Sequence, residues 1–308
     1  VIDPRPEPKA AGRLDVVGGG LILLASLQFG AVVVLGKLAT DAGLSVSSFL
    51  AIRFVLAAVG LAVVLALVRV PHLAAPGERI PLAVLGMAGY AVEAGLFFAA
   101  LQRGTAAAVT LLFYTYPVWV ALAALVLGGG LPGWLLGGAL ASAVAGAVLV
   151  IVSSGGLDIT AAGIAFAFGA AFSFALYLTA VDALVRRTNP LTGAMWVSGA
   201  AGIALAVFAV ASGGGSLPGD AEEWAQVVGT AVFTAGAFVC LFAGLRRLGA
   251  VRTAIVASTE PLAAAILAVI FLDEPLRPGT VGGGVLILAG AVAASMARRV
   301  GSGEPSVP

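Results

Sequence analysis

Long apolar runs, broken by short polar or Gly/Pro-rich stretches, occupy most of the chain. They are too long and too evenly apolar for half-buried strands or for surface helices with a single apolar stripe. Ten such runs, at approximately 16–38, 47–68, 80–101, 105–127, 134–152, 161–184, 191–212, 224–245, 251–272 and 279–297, come close to the roughly 20 residues a helix needs to cross hydrocarbon. Ten-residue segments of alternating polarity, the mark of an outer-membrane barrel, are absent, so helices are the way left to satisfy the backbone in lipid. The pattern predicts an all-α integral membrane protein of ten transmembrane helices. The first run is too long for a secretory signal, lacks a clear cleavage site and precedes nine similar segments, so it is expected to remain as a span.

The chain also repeats itself. A shift of 144 residues places Arg103 on Arg247, Thr115 on Thr259, Pro117 on Pro261, Gly138 on Gly282, and Ala145-Gly146-Ala147-Val148 on Ala289-Gly290-Ala291-Val292. Five helices per unit is an odd number, so the second unit enters the membrane in the opposite sense. The expected organisation is a cytoplasmic tail at 1–15, a first five-helix repeat at 16–152, a second, inverted repeat at 161–299 and a second cytoplasmic tail at 300–308. Inverted repeats are a recurrent transporter architecture, with the substrate site near mid-membrane between the halves.

Composition narrows the chemistry. The chain is 61% apolar and 10% charged, a balance that points to lipid as the solvent. One cysteine, Cys240, and one histidine, His72 in a loop beside Pro71, argue against a disulfide, a metal site or His-based catalysis. With the N-terminus in the cytoplasm, that side collects Arg5, Lys9, Arg13, Arg69, Arg79, Arg186, Arg187, Arg246, Arg247, Arg252, Arg298 and Arg299, and the other side Arg103 and Arg277. This bias predicts a cell-membrane protein with both termini cytoplasmic.

The helix 4 run Ala107-Ala108-Val109-Thr110-Leu111-Leu112-Phe113-Tyr114-Thr115-Tyr116-Pro117-Val118, its partner Ala254-Ile255-Val256-Ala257-Ser258-Thr259-Glu260-Pro261-Leu262, the segment Phe271-Leu272-Asp273-Glu274-Pro275-Leu276 and the Arg53-Phe54 pair together resemble the EamA family of the drug/metabolite transporter superfamily. The resemblance runs from about Gly18 to Arg299. It implies export of amino acids, other metabolites or toxic compounds through a central cavity lined by helices 1 to 4 and 6 to 9, with helices 5 and 10 peripheral.

The candidate substrate-binding residues are Glu93, Tyr90, Phe97, Tyr114, Arg53 and Glu260, and the candidate hinges are Pro117 and Pro261. Glu93 lies deep in helix 3, where a carboxyl is costly unless it faces a cavity or partner. It is expected to face the bundle interior, to bind an ammonium group, to carry a proton, or to hold helices together. Glu260, beside Pro261, fits a structural hydrogen bond to a neighbouring helix as well as substrate contact. Arg53 suits a substrate carboxylate or a structural pair, and Lys37, nearer the interface, suits snorkelling. Tyr90, Phe97 and Tyr114 are candidates for an aromatic pocket wall or plain packing. Each proline frees a carbonyl one turn back, at Phe113 and Ala257. Gly138, Gly146, Gly282 and Gly290 read as close helix packing, inside the protomer or in a dimer.

No Walker motif is found in the chain, which points to a secondary transporter, not an enzyme, exporting amino acids or similar metabolites by alternating access. The alternatives are a multidrug or cationic-compound exporter and a non-transporting scaffold. No cofactor and no metal are expected. The expected partners are a small-molecule substrate, the lipid bilayer and a proton as candidate coupling ion, with no nucleic acid and the chain as monomer or homodimer.

Overall fold

The computed structural model describes residues 15–41, 43–104, 106–129, 133–154, 159–213, 215–271 and 277–296. The two tails, the Lys37 side chain and residues 272–276 of the Phe271–Leu276 motif lie outside what is described. Among the described residues ten helical segments follow one another, nine of them long and apolar enough to cross a membrane and the last one shorter: α1 Val16–Asp41, α2 Val46–Leu67, α3 Arg79–Leu101, α4 from Ala106–Phe113 through Tyr116–Ala124 to a π-helical end at Leu125–Gly129, α5 Trp134–Ser154, α6 Ala161–Leu184, α7 Pro190–Ala211, α8 Ala221–Leu248, α9 Ala250–Phe271 and α10 Pro278–Met296. Among the described residues the extended pairing is confined to one bridge, Gly104 with Ile159. The protein is therefore a multi-pass helical membrane protein built of two repeats.

Local chemistry sets several helix starts. Ser45 caps α2, Thr160 caps α6, Asn189 caps α7 and Asp220 caps α8, each side chain accepting from an N–H of the first turn. Ser45 and Asn189 stand 144 positions apart, so the repeat register extends to these two caps. α8 begins at Ala221 and ends at Leu248, about a turn beyond the expected 224–245 at each end, because Asp220 nucleates it and Gly249, at φ +79°, stops it.

The two broken spans repeat each other atom for atom. α4 breaks at Tyr114–Thr115 and α9 at Ser258–Thr259. Thr115 Oγ1 donates to Leu112 O at 2.7 Å and Thr259 Oγ1 to Val256 O at 2.8 Å. Pro117 and Pro261 follow each break, lacking the N–H that would have continued the ladder. The carbonyl of Ala257 accepts a bond from the buried Ser26 Oγ of α1 at 3.4 Å.

Packing follows a pseudo-two-fold axis. α1 lies on α8 as α6 lies on α3, and α2 pairs with α7 and α5 with α10. A Cβ on Gly146 would meet Gly283 O at 2.5 Å and Ile287 N at 2.7 Å, while a Cβ on Gly290 would meet Ala139 O at 2.7 Å and Ala143 N at 2.9 Å. These are the same contacts with the repeats exchanged. Ser142 Oγ donates to Leu286 O at 2.8 Å, linking two equivalent positions. Within the protomer Gly138 and Gly282 take no part in this seam, since a Cβ on either meets nothing within 4 Å. Eight residues turn a helix by roughly 80° beyond two full turns, which takes Gly138 to the side of the line through Gly146. Gly283, seven residues before Gly290, occupies the seam instead.

Candidate functional site

A cavity of about 350 Å³ opens among α1, α2, α3, α4, α6 and α9, within the size range of small-molecule sites. Its wall is built from Phe29, Val32, Val33 and Gly36 of α1, Phe49 and Arg53 of α2, and Tyr90, Glu93, Ala94, Phe97, Phe98 and Leu101 of α3. Phe113, Phe174 and Glu260 complete it. The residues from α1 and α3 fall in the later halves of those helices and those from α2 near its start, so the cavity lies toward the end of the bundle that carries the α1–α2 and α3–α4 loops. α7 and α8 supply none of these lining residues, unlike the eight-helix ring the resemblance implies. They stand behind the wall, where Phe238 of α8 packs edge-on against Phe54 and Tyr90 at 6.1 and 4.9 Å between centroids.

Three ionisable groups face this space. Arg53 is buried, with its guanidinium 4.4 Å from the Phe54 ring centroid and 5.6 Å from that of Phe49, a cation–π setting. Its Nε has no hydrogen-bond partner among the described residues, and no ion pair joins it to Glu93 there. Glu93 is likewise buried on the wall. Glu260 also lines the cavity and accepts a hydrogen bond from the Tyr114 hydroxyl, so a bond to a neighbouring helix and a place at the cavity coexist. Tyr114 itself stands behind the wall, held against Phe113 and Tyr116. Tyr90 and Phe97 are on it. The span bearing Tyr90 and Glu93 is π-helical over Leu85–Tyr90, a widened turn that recurs at functional sites. Gly86, packed on the α7 backbone at Val197 O, gives this turn room.

Phe98, Phe113 and Phe174 join Tyr90 and Phe97 on the wall, and Phe29 and Phe49 extend it from α1 and α2. Each stands alone in an apolar run, and nothing local distinguishes such a residue from one facing lipid. No group of three or more His, Cys, Asp or Glu residues suited to a metal occurs among the described residues.

The opposite end of the bundle is closed by polar contacts between the repeats. Glu78, at the start of α3, is buried and accepts from Arg186 N at 3.0 Å and Arg187 N at 2.8 Å on one oxygen. On the other it accepts from Thr188 N at 2.8 Å and Thr188 Oγ1 at 2.6 Å. Arg187 Nε lies 3.7 Å away. Burial pushes the Glu78 pKa up, but the Thr188 hydroxyl and the three backbone N–H groups outweigh it and bring the value down to about 2. Around this carboxylate, Ala75 N donates to Thr188 Oγ1, Arg246 to Thr188 O, Thr192 to Pro71 O and Trp196 to His72 O.

The profile of the EamA-like transporter family matches residues 17–152 and again 161–296. Twenty-nine chains of solved structure are similar; one crystal structure aligns with a TM-score of 0.76 at 20% identity, covering 93% of this chain and 99% of its own. That likeness concerns the fold. No curated protein matches the sequence significantly.

Proposed function

The chain belongs to the EamA-like transporter family of the drug/metabolite transporter superfamily, and on that premise we propose that it is a secondary transporter exporting amino acids or similar small zwitterions across the cell membrane by alternating access. The observation that carries the substrate class is the charge pattern of the cavity. A guanidinium with an unpartnered Nε and two carboxyl groups share a space of about 350 Å³ whose remaining walls are mostly phenylalanine and valine. A buried donor without a hydrogen-bond partner is costly, and a substrate carboxylate on Arg53 would offset that cost in the bound state. Glu93 is assigned the substrate ammonium or a coupling proton, and Glu260 a supporting acid held by Tyr114. Pro117 and Pro261 act as hinges where α4 and α9 are already broken. The Lys/Arg asymmetry supports an orientation with both termini in the cytoplasm, in which the cavity faces outward.

A second reading rests on a specific observation. Two carboxyl groups face one guanidinium, and the walls are aromatic, which also suits an apolar cation. Equilibrium binding to the purified protein separates the two. Free amino acids with bulky apolar side chains are expected to bind, and their methyl esters and N-acetyl forms to lose about tenfold or more for the missing charge-assisted hydrogen bond. Esters binding more tightly than the free acids would move the assignment to cations; absence of binding by every member of the set would remove it.

A further inference from the structure

The 144-residue shift maps the cavity wall onto a second set of residues. Arg53, Tyr90, Glu93, Phe97 and Leu101 correspond to Val197, Thr234, Ala237, Leu241 and Leu245. All five counterparts are buried, at 5% exposure or less. Phe49 and Phe98, which line the open cavity, correspond to Gly193 and Phe242, and there the Phe242 ring sits about 3.0 Å from where a Gly193 Cβ would be. The second half therefore contains the same wall in collapsed form. Two hydroxyls inside it, Thr234 and the neighbouring Ser198, are fully buried and have no hydrogen-bond partner among the described residues. Buried hydroxyls without partners are uncommon and call for an explanation.

Resting on the transporter reading, we propose that this collapsed wall is a second, opposite-facing access cavity, and that the Glu78 carboxylate clasp is the gate that keeps it shut. When the clasp releases residues 186–188, α7 and α8 part at that end, and Thr234 and Ser198 gain water or substrate as partners. The repeat supplies the complementary device. Glu222 is the counterpart of Glu78, and Gly43 and Leu44 are those of Arg187 and Thr188. In the present state Glu222 is exposed and no hydrogen bond involves its side chain among the described residues, while Glu223 turns back onto Gly219 N at 2.7 Å. The same kind of carboxylate is engaged at the closed end and idle at the end holding the cavity. In the opposite state the acidic start of α8 takes over this role against the α1–α2 loop.

The experiment needs no knowledge of the substrate. In a Cys240→Ala background, Ala237→Cys reports on the collapsed wall, and a membrane-impermeant thiol reagent is applied to the clasped face of vesicles. Labelling is expected to be slow with Glu78 intact and to accelerate about tenfold in Glu78→Gln, which removes charge from a carboxylate holding four donors. Thr188→Val, which removes one donor and leaves the backbone bonds, is expected to fall between the two and serves if the glutamine variant misfolds. Separately, an Ala75→Cys/Thr188→Cys disulfide is expected to stop flux reversibly. Labelling no faster in folded Glu78→Gln and Thr188→Val than with the clasp intact, or full flux through the cross-linked protein, would overturn the gate. Faster labelling without transport of any solute would uphold the gate while counting against the transporter reading.

Discussion

Gly146→Ala tests the seam on which the two-repeat packing rests. The added Cβ would lie 2.5 Å from Gly283 O, 2.7 Å from Ile287 N and 2.8 Å from Ile287 Cγ1, against an ordinary contact of 3.4 Å or more. Two of the three are backbone atoms, which cannot rotate away, so α5 and α10 must separate locally by several tenths of an ångström. Overpacking of this kind costs about 1–3 kcal/mol, partly offset by the roughly 0.5–1 kcal/mol that alanine gains over glycine within a helix. Gly138→Ala gains the same helix term and meets nothing within 4 Å, so the difference between the two variants isolates the contact. Thermal unfolding in detergent, followed by tryptophan fluorescence, is expected to place Gly146→Ala several degrees below Gly138→Ala, and Gly290→Ala close to Gly146→Ala because the two-fold makes their contacts equivalent. If Gly146→Ala melts at or above Gly138→Ala, the close approach of α5 and α10 is wrong.

Arg53→Ala is expected to weaken binding of a zwitterionic ligand by about ten- to a hundredfold, the range for losing a hydrogen bond to a charged group, and to erase discrimination between acid and ester in titration calorimetry. Arg53→Lys should restore only part of it, since lysine offers a point charge and not a planar fork. Glu78 has a pKa lowered to about 2 from an ordinary value near 4.5; its stabilising contribution is therefore complete above the unfolded value and lost as pH falls from about 4.5 toward 2. Wild type should outlast Glu78→Gln by on the order of 2–3 kcal/mol at pH 7, with the gap narrowing in melts below pH 4.5; a gap unchanged at pH 3 contradicts this. Tyr114→Phe removes the bond to Glu260 and should cost about 1–3 kcal/mol of stability, measured by denaturant titration in detergent, while Tyr116→Phe, whose hydroxyl reaches Ala254 O at only 3.4 Å, should cost less.

The ten spans and the repeat were legible in the sequence because length, apolarity and a fixed shift are one-dimensional signals. The breaks in α4 and α9 were legible for the same reason, since a proline without an amide proton marks the place by itself. Gly138 and Gly282 show where this kind of reading stops. A matching position in a repeat says that two residues are equivalent, not which face they occupy, and only the helical phase separates them from Gly146 and Gly290. The clasp was out of reach for a different reason. Its donors are mostly backbone N–H groups about 110 residues away, which leave no mark in the sequence, and counting Lys and Arg by side passes over an acid such as Glu78. Arg53, Glu93 and Glu260 stood out because charge in an apolar run is conspicuous, whereas Phe29 and Phe49 became part of the site only when the helices were assembled.

The central claim is that this cavity carries solute across the membrane. Saturable counterflow in proteoliposomes, using a labelled panel of amino acids, other metabolites and cationic drugs with and without an imposed pH gradient, tests it most directly when wild type is set beside Glu93→Gln. The prediction is that apolar zwitterions exchange saturably in wild type and that Glu93→Gln, equally folded, reduces the exchange to background. Flux of no panel member by folded wild type, or undiminished flux by Glu93→Gln, would contradict it.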